Sequence, residues 1–291
     1  MSAPPTSLRR LARLVAMAGL AFAAAGCRSP AEKAAAPILE KNAEARGGLD
    51  AWREVKTMSW SGKLDAGLRR DPVKQAMAYR QPRNGQMARA QARKALAQQA
   101  KVIEAESQIQ LPFTMELARP RKSRLEIVFR GQTAVQVFDG SRGWKLRPFL
   151  GRHEVEPFTP DELRTAAQQA ELDGPLLDFR SKGEKVELEG TETVEGRETF
   201  KLKVTSGKDQ VRRVWVDKET FLDVRVDGTR KMDGKQRPVW TYFRDYRKVN
   251  GLMIPHLLET TVEGIPGSEK IVIERVVVNP DLGNDRFQKP S

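Results

Sequence analysis

Few residues in this chain could carry covalent, acid–base or metal chemistry. It has two histidines and one cysteine in 291 residues. His153 and His256 are far apart and form no His-x-x-x-His pair. A zinc centre draws three or four ligands, usually with pairs close in sequence. No Gly-x-Ser-x-Gly turn singles out a nucleophilic serine, and there is neither a phosphate loop nor a Gly-x-Gly-x-x-Gly. Asp139-Gly140-Ser141-Arg142-Gly143 has two glycines, but it falls between strand-like runs and reads as a hairpin turn. His256, after Pro255, reads as a packed or surface histidine. The residues point to no catalytic site, no metal and no cofactor, and the expected activity is binding.

Cys27 is the one residue with distinctive chemistry. Arg9, Arg10 and Arg13 make a positive start, and Leu14 to Ala25 is an apolar run of twelve. That run is too short for an ordinary membrane span and suits a secretory leader. It ends in Ala24-Ala25-Gly26-Cys27, which resembles a bacterial lipobox. The resemblance implies cleavage before Cys27 and a diacylglycerol on its thiol. Residues 1–26 are then a lipoprotein signal peptide, and the mature body has no thiol. Removing them takes away three arginines and no acid, so the net charge of +13 becomes +10. Such a charge favours anionic partners. Arg28, where some bacteria use aspartate to retain a lipoprotein in the inner membrane, leans toward the outer membrane.

These features must sit on a body that the patterning describes. Residues 27–37, rich in Ala, Pro and charge, read as a tether. Ile38 to Val55 reads as helix broken at Gly47-Gly48. Residues 68–108 read as a basic helical insertion, with Lys or Arg at nine positions and Asp71 as the only acid before Glu104. Its charge suits an anionic membrane surface better than nucleic acid, because the leader sends the chain out of the cytoplasm. Thr159-Pro160-Asp161-Glu162 is a capping box that opens a helix to about Leu172. Elsewhere alternating strands dominate, with turns every ten or so residues and Asn250-Gly251 as a hairpin signal. The class is α+β, mainly antiparallel β, with residues 38–291 as one domain.

Six stretches taken in order resemble a known family. They are ARGGLDAWREVKTMSWSGK (45–63), RPRKSRLEIVFRGQTAVQVFDGSRGWKLRP (119–148), KVELEGTETVEGRETFKLKV (185–204), VWVDKETFLDVRV (214–226), YFRDYRKVNGLMIPHLLET (242–260) and VVNPDLGNDRFQKP (277–290). Together they are similar to the LolA-like outer-membrane lipoprotein-sorting proteins. The resemblance implies an incomplete β-barrel with helices covering its concave face. It implies a hydrophobic cargo, such as lipoprotein acyl chains or another lipid, and a place in the cell envelope facing the periplasm. The basic insertion departs from the family, as does the anchor, since the best-known carrier of the family is a free shuttle.

A face that holds lipid must be dry and mostly apolar. Leu125, Ile127, Phe129, Val135, Val137, Trp144, Phe200, Leu202 and Phe243 are the candidate lining. Alternation alone leaves open which of them point inward. The competing reading is an envelope sensor or assembly protein whose sheet binds another protein.

Overall fold

The computed structural model describes residues 28–65, 110–207, 210–232 and 234–290. The leader, Cys27 and the basic stretch 68–108 lie outside the described residues. Among those described, thirteen strands form one antiparallel sheet. The first six are β1 (Thr57–Asp65), β2 (Gln110–Ala118), β3 (Lys122–Phe129), β4 (Gln132–Phe138), β5 (Gly143–Arg147) and β6 (Arg152–Pro157). After a helical passage come β7 (Lys185–Val194), β8 (Arg197–Ser206), β9 (Gln210–Asp217) and β10 (Asp223–Met232). The chain closes with β11 (Lys235–Val249), β12 (Leu252–Val262) and β13 (Ile265–Val278).

From β2 to β6, and again from β7 to β13, each strand pairs with the next through a short connection, which produces two meanders, and β1 pairs with β2 at the end of the first. The first strand then pairs with the last, Met58 opposite Val278 and Leu64 opposite Ile271. This joins the meanders and leaves β6 and β7 as the two edges of an open sheet. At the β1–β13 seam the register shifts between Ser61 and Gly62. A Cβ on Gly62 would lie 2.0 Å from the Val272 carbonyl oxygen, so only glycine fits this bulge. Bulges bend a sheet and increase its twist.

Three helices pack on one face: α1 (Pro30–Ala45), α2 (Leu49–Arg53) and α3 (Pro160–Gln169). The stretch read as a tether is thus helical from Pro30. Ser29 and Glu32 form a reciprocal capping box, and Pro30 stands in the first turn, where its missing N–H costs nothing. Alanine, the best helix former, carries the helix past Pro37. It also has something to bury. Ala35, Ile38 and Leu39 pack on Val186, Leu202, Val204, Val214 and Val216 of β7–β9. The expected break at Gly47-Gly48 and the capping box at Thr159 are both present.

The sheet curls around this face. Glu162 of α3 accepts from Lys145 Nζ of β5 at 2.6 Å. Nine residues on, Glu171 accepts from Arg212 of β9 at 2.8 Å. In the strand order β5 and β9 are nine places apart. On a flat sheet that is about 43 Å at ~4.8 Å per strand. Nine helical residues rise only about 14 Å. Side chains cannot make up the difference, so the two arms bend toward each other with the helices inside the bend.

One end of the curl is closed. Trp52, Val55 and Met58 pack with Leu117, Leu172, Leu177, Leu252 and Ile254 in a buried cluster. A buried polar network sits beside it. Arg46 Nη1 donates to the Asp173 carbonyl at 2.9 Å and lies 3.4 Å from the Asp223 carboxylate. Asn42 donates to the same carboxylate at 2.9 Å, and Trp52 Nε1 donates to the Arg46 carbonyl at 2.9 Å. Burial pushes the Asp223 carboxyl up, with the Arg46 charge and the Asn42 amide opposing it.

Candidate functional site

Alternation and register assign every strand residue to the inner or outer face. Met58 packs under α2, so Trp60, Gly62 and Leu64 of β1 also point inward. Their partners on β2 are Leu117, Met115, Phe113 and Leu111. The next partners on β3 are Leu125, opposite Met115, and Ile127, opposite Phe113. Phe129 follows two residues on. From the other arm, Val226 packs against the cluster under α1, which sets Thr241 and Phe243 of β11 inward. Leu258 of β12 pairs with Phe243, and Ile271 of β13 pairs with Leu258.

The nine candidate residues therefore separate into three groups. Leu125, Ile127, Phe129 and Phe243 share the inner face and are half-buried. Phe200 and Leu202 share that face too, but α1 seats on them: Leu202 is fully buried and Phe200 packs against the same cluster. Val135, Val137 and Trp144 lie on the opposite face. The register pairs inward Leu125 with Gln136, so the valines on either side of Gln136 must point outward. There the chain's last residues cover them, with Phe287 and Leu282 packed on Val135, Val137 and Trp144. The turn at Arg130-Gly131 decides this phase, and the hydrophobic pattern of β4 alone does not reveal it.

Five inner-face residues escaped the sequence reading: Leu64, Leu111, Phe113, Leu258 and Ile271. The alternation of β2 was a visible signal for Leu111 and Phe113. Leu257-Leu258 is ambiguous by pattern, and the β1–β13 pairing that brings Leu64 to Ile271 joins the two ends of the domain. With Leu125, Ile127, Phe129 and Phe243 these residues form an apolar tract across β3, β2, β1, β13, β12 and β11. None of them belongs to the buried clusters found among the described residues. All are half-buried except Phe113, which is buried. The tract thus extends from the closed end toward the end where β1 finishes and β2 begins.

A second concavity, about 510 Å³, lies on the outer face of β7–β11. Its lining is polar: Glu189, Glu192, Lys201, Arg213, Arg225 and Asp227 around Trp215 and Trp240. The charges are matched. Arg213 pairs with Glu189 at 2.7 Å, Arg225 with Glu192 at 3.0 Å, and Lys201 with Glu192 at 3.3 Å. The Arg225 guanidinium stacks 3.8 Å from the Trp215 ring centroid. Burial raises the Asp227 carboxyl, against hydrogen bonding from the Arg213 backbone. Its charges are taken up in ion pairs with one another and form no acid–base pair aimed at a substrate.

His256 is buried, with Nδ1 2.9 Å from the Ile254 carbonyl oxygen, which suits a packed histidine. Asp139 accepts from the Ser141 and Arg142 backbone N–H groups, so the turn at 139–143 is a hairpin turn. Among the described residues no group of three His, Cys, Asp or Glu is placed to hold a metal ion. No helix there is long and apolar enough to cross a membrane.

No protein-family model matches the chain, and no curated protein matches its sequence. Solved structures do. A DUF1329 family protein from Desulfovibrio piger superposes with a TM-score of 0.50 at 12% identity, over 89% of this chain and 98% of that one. The LolA superfamily protein NE2245 from Nitrosomonas europaea gives 0.49 at 12% identity, over 88% and 97%. A domain described as outer membrane lipoprotein-sorting, from Vibrio parahaemolyticus, gives 0.48 at 10% identity, over 88% and 97%. The class is an open, curled antiparallel sheet, and the DUF1329 family structure shares that fold along almost the whole chain.

Proposed function

We propose that this protein is an envelope lipoprotein that holds a hydrophobic cargo on the inner face of its half-barrel and serves lipid or lipoprotein transport or localisation. The observation that carries this is the apolar tract from Phe129 to Phe243. A sheet that curls around an apolar surface, sealed at one end by the Trp52 cluster, is built to shelter an acyl chain. Helices α1 and α3 act as its cover. The cargo is lipoprotein acyl chains or another lipid, and no cofactor or catalytic step is involved. Mass spectrometry of lipids extracted from protein purified without detergent tests the reading. An acyl-bearing species at near-stoichiometric amount supports it. An empty protein with a partner crosslinked to its sheet would instead make it a protein-binding module.

Cys27 is the proposed lipid attachment point, and Arg28 after it favours the outer membrane, with the body facing the periplasm. The basic stretch 68–108 would then meet anionic lipid surfaces. One acyl-bearing anchor is a physical tether independent of the cargo site. Cys27→Ser is therefore expected to move the protein from the membrane fraction to the soluble one without changing its fold. Persistence of the variant on membranes would refute the anchor.

A further inference from the structure

Arg230 of β10 and Arg237 of β11 stand side by side on the inner face. They are directly opposed in the register, two steps beyond Gly228 and Val239. Like charges in that position repel. Only one of them is matched by a carboxylate. Arg230 Nη1 lies 2.8 Å from Glu269 of β13, reaching over two strands to do so. Arg237 Nη1 donates to the Glu263 backbone carbonyl at 3.2 Å, and its Nε is buried without a hydrogen-bond partner. Among the described residues no carboxylate pairs with Arg237.

The same strands turn from charged to apolar inward from Arg237, with one hydroxyl pair on the way. Next comes Val239, and then the hydroxyl pair of Thr241 and Thr260, with Oγ atoms 2.9 Å apart. Beyond them lie Phe243, Leu258 and Ile271, already described as part of the apolar tract. A cation at one end of the face and hydrocarbon at the other, with one hydroxyl pair between, match an anionic amphiphile read from head to tail. A buried guanidinium nitrogen without a partner is costly, and a phosphate or carboxylate oxygen would satisfy it.

We propose that the cargo carries an anionic head group, held chiefly by Arg237 with Arg230 beside it, while its chain runs past Thr241 and Thr260 onto the apolar tract. This rests on the cargo-binding reading above and narrows the ligand class. The test is displacement of a fluorescent fatty-acyl probe from purified protein by dodecyl phosphate, by 1-monolauroylglycerol, or by inorganic phosphate. Wild type should favour dodecyl phosphate over the neutral lipid by about tenfold, the effect of one hydrogen bond to a charged group. Inorganic phosphate should not displace the probe. Arg237→Met should abolish the preference, weakening dodecyl phosphate binding far more than monolauroylglycerol binding. Arg237→Lys, which keeps the charge, should retain part of the preference and serves if the methionine variant fails to fold. Equal affinity for the two lipids in wild type, or an undiminished preference in both variants, would overturn the head-group assignment while the cargo reading stands. Displacement by inorganic phosphate alone would make this a free-anion site and overturn it too. If folded wild type takes up no probe, the cargo reading itself fails and this inference falls with it.

Discussion

Arg46→Met is expected to lower stability by about 3–5 kcal/mol at neutral pH, the usual cost of removing one partner from a buried ion pair. Arg46 is 6% exposed and Asp223 5%, so neither can turn to water. The variant leaves the Asp223 carboxylate buried with only the Asn42 amide to compensate it. It also loses the hydrogen bond to the Asp173 carbonyl and the stacking of the guanidinium 4.7 Å from the Trp52 ring centroid. These ties hold α1, the segment after α3 and the start of β10 together. The pH dependence follows from the direction of the Asp223 shift. Burial raises this carboxyl in the folded chain, and Arg46 is the main opposing influence. Without Arg46 the folded state binds the proton more tightly still than the unfolded chain does. A raised pKa contributes stability below the unfolded value and loses it as pH rises through the folded value. The deficit of the variant relative to wild type should therefore be widest near neutrality and shrink on acidification. Denaturant unfolding of both proteins at neutral and mildly acidic pH measures it. A deficit that does not change with pH would mean that Asp223 is not the charge left behind.

The second large effect concerns binding. Ile127→Glu is expected to lower affinity for an acyl chain at least tenfold while the protein still folds. Ile127 is inward and half-buried, and it stands in the middle of the apolar tract, paired with Phe113 on one side and Ala134 on the other. It belongs to none of the buried clusters that hold the described fold together, so its replacement removes little core packing. A carboxylate there would have to give up water whenever a chain lay against it, and uncompensated desolvation of a charge is costly. The neighbouring residue provides the control. Val128 is 39% exposed on the outer face of the same strand. Val128→Glu puts the same charge one residue away on the other side of the sheet, where solvent is already present.

That one-residue difference also shows what could and could not be read from the sequence. The alternation of Leu125, Ile127 and Phe129 is plain, and so are the turns at Asp139–Gly143, Glu195-Gly196 and Asn250-Gly251. Strand content and the antiparallel meanders were therefore legible. The phase of β4 was not. Val135 and Val137 are as apolar as their neighbours on β3, but Phe287 and Leu282 cover them from the outside. Those two residues lie some 150 positions downstream, and no local pattern announces that they fold back. Phe200 and Leu202 lie on the inner face, but α1 packs on them, which alternation within β8 does not announce. The first half of α1, up to Pro37, reads as a tether because alanine buries little by itself. The pairing of β1 with β13 joins the ends of the domain, so the tract it creates has no local signature. Arg237 escaped for a related reason. In a chain with 51 Lys and Arg, only the opposed register with Arg230 and the lack of a carboxylate partner among the described residues set it apart.

The central claim is that the inner face of the curled sheet holds an acyl chain. Binding of a fluorescent fatty-acyl probe to purified wild type, Ile127→Glu and Val128→Glu, each verified as folded, tests it most directly. The expected result is uptake by wild type and by Val128→Glu, with at least tenfold weaker uptake by Ile127→Glu. No uptake by folded wild type, or equal uptake by the two glutamate variants, would contradict the claim.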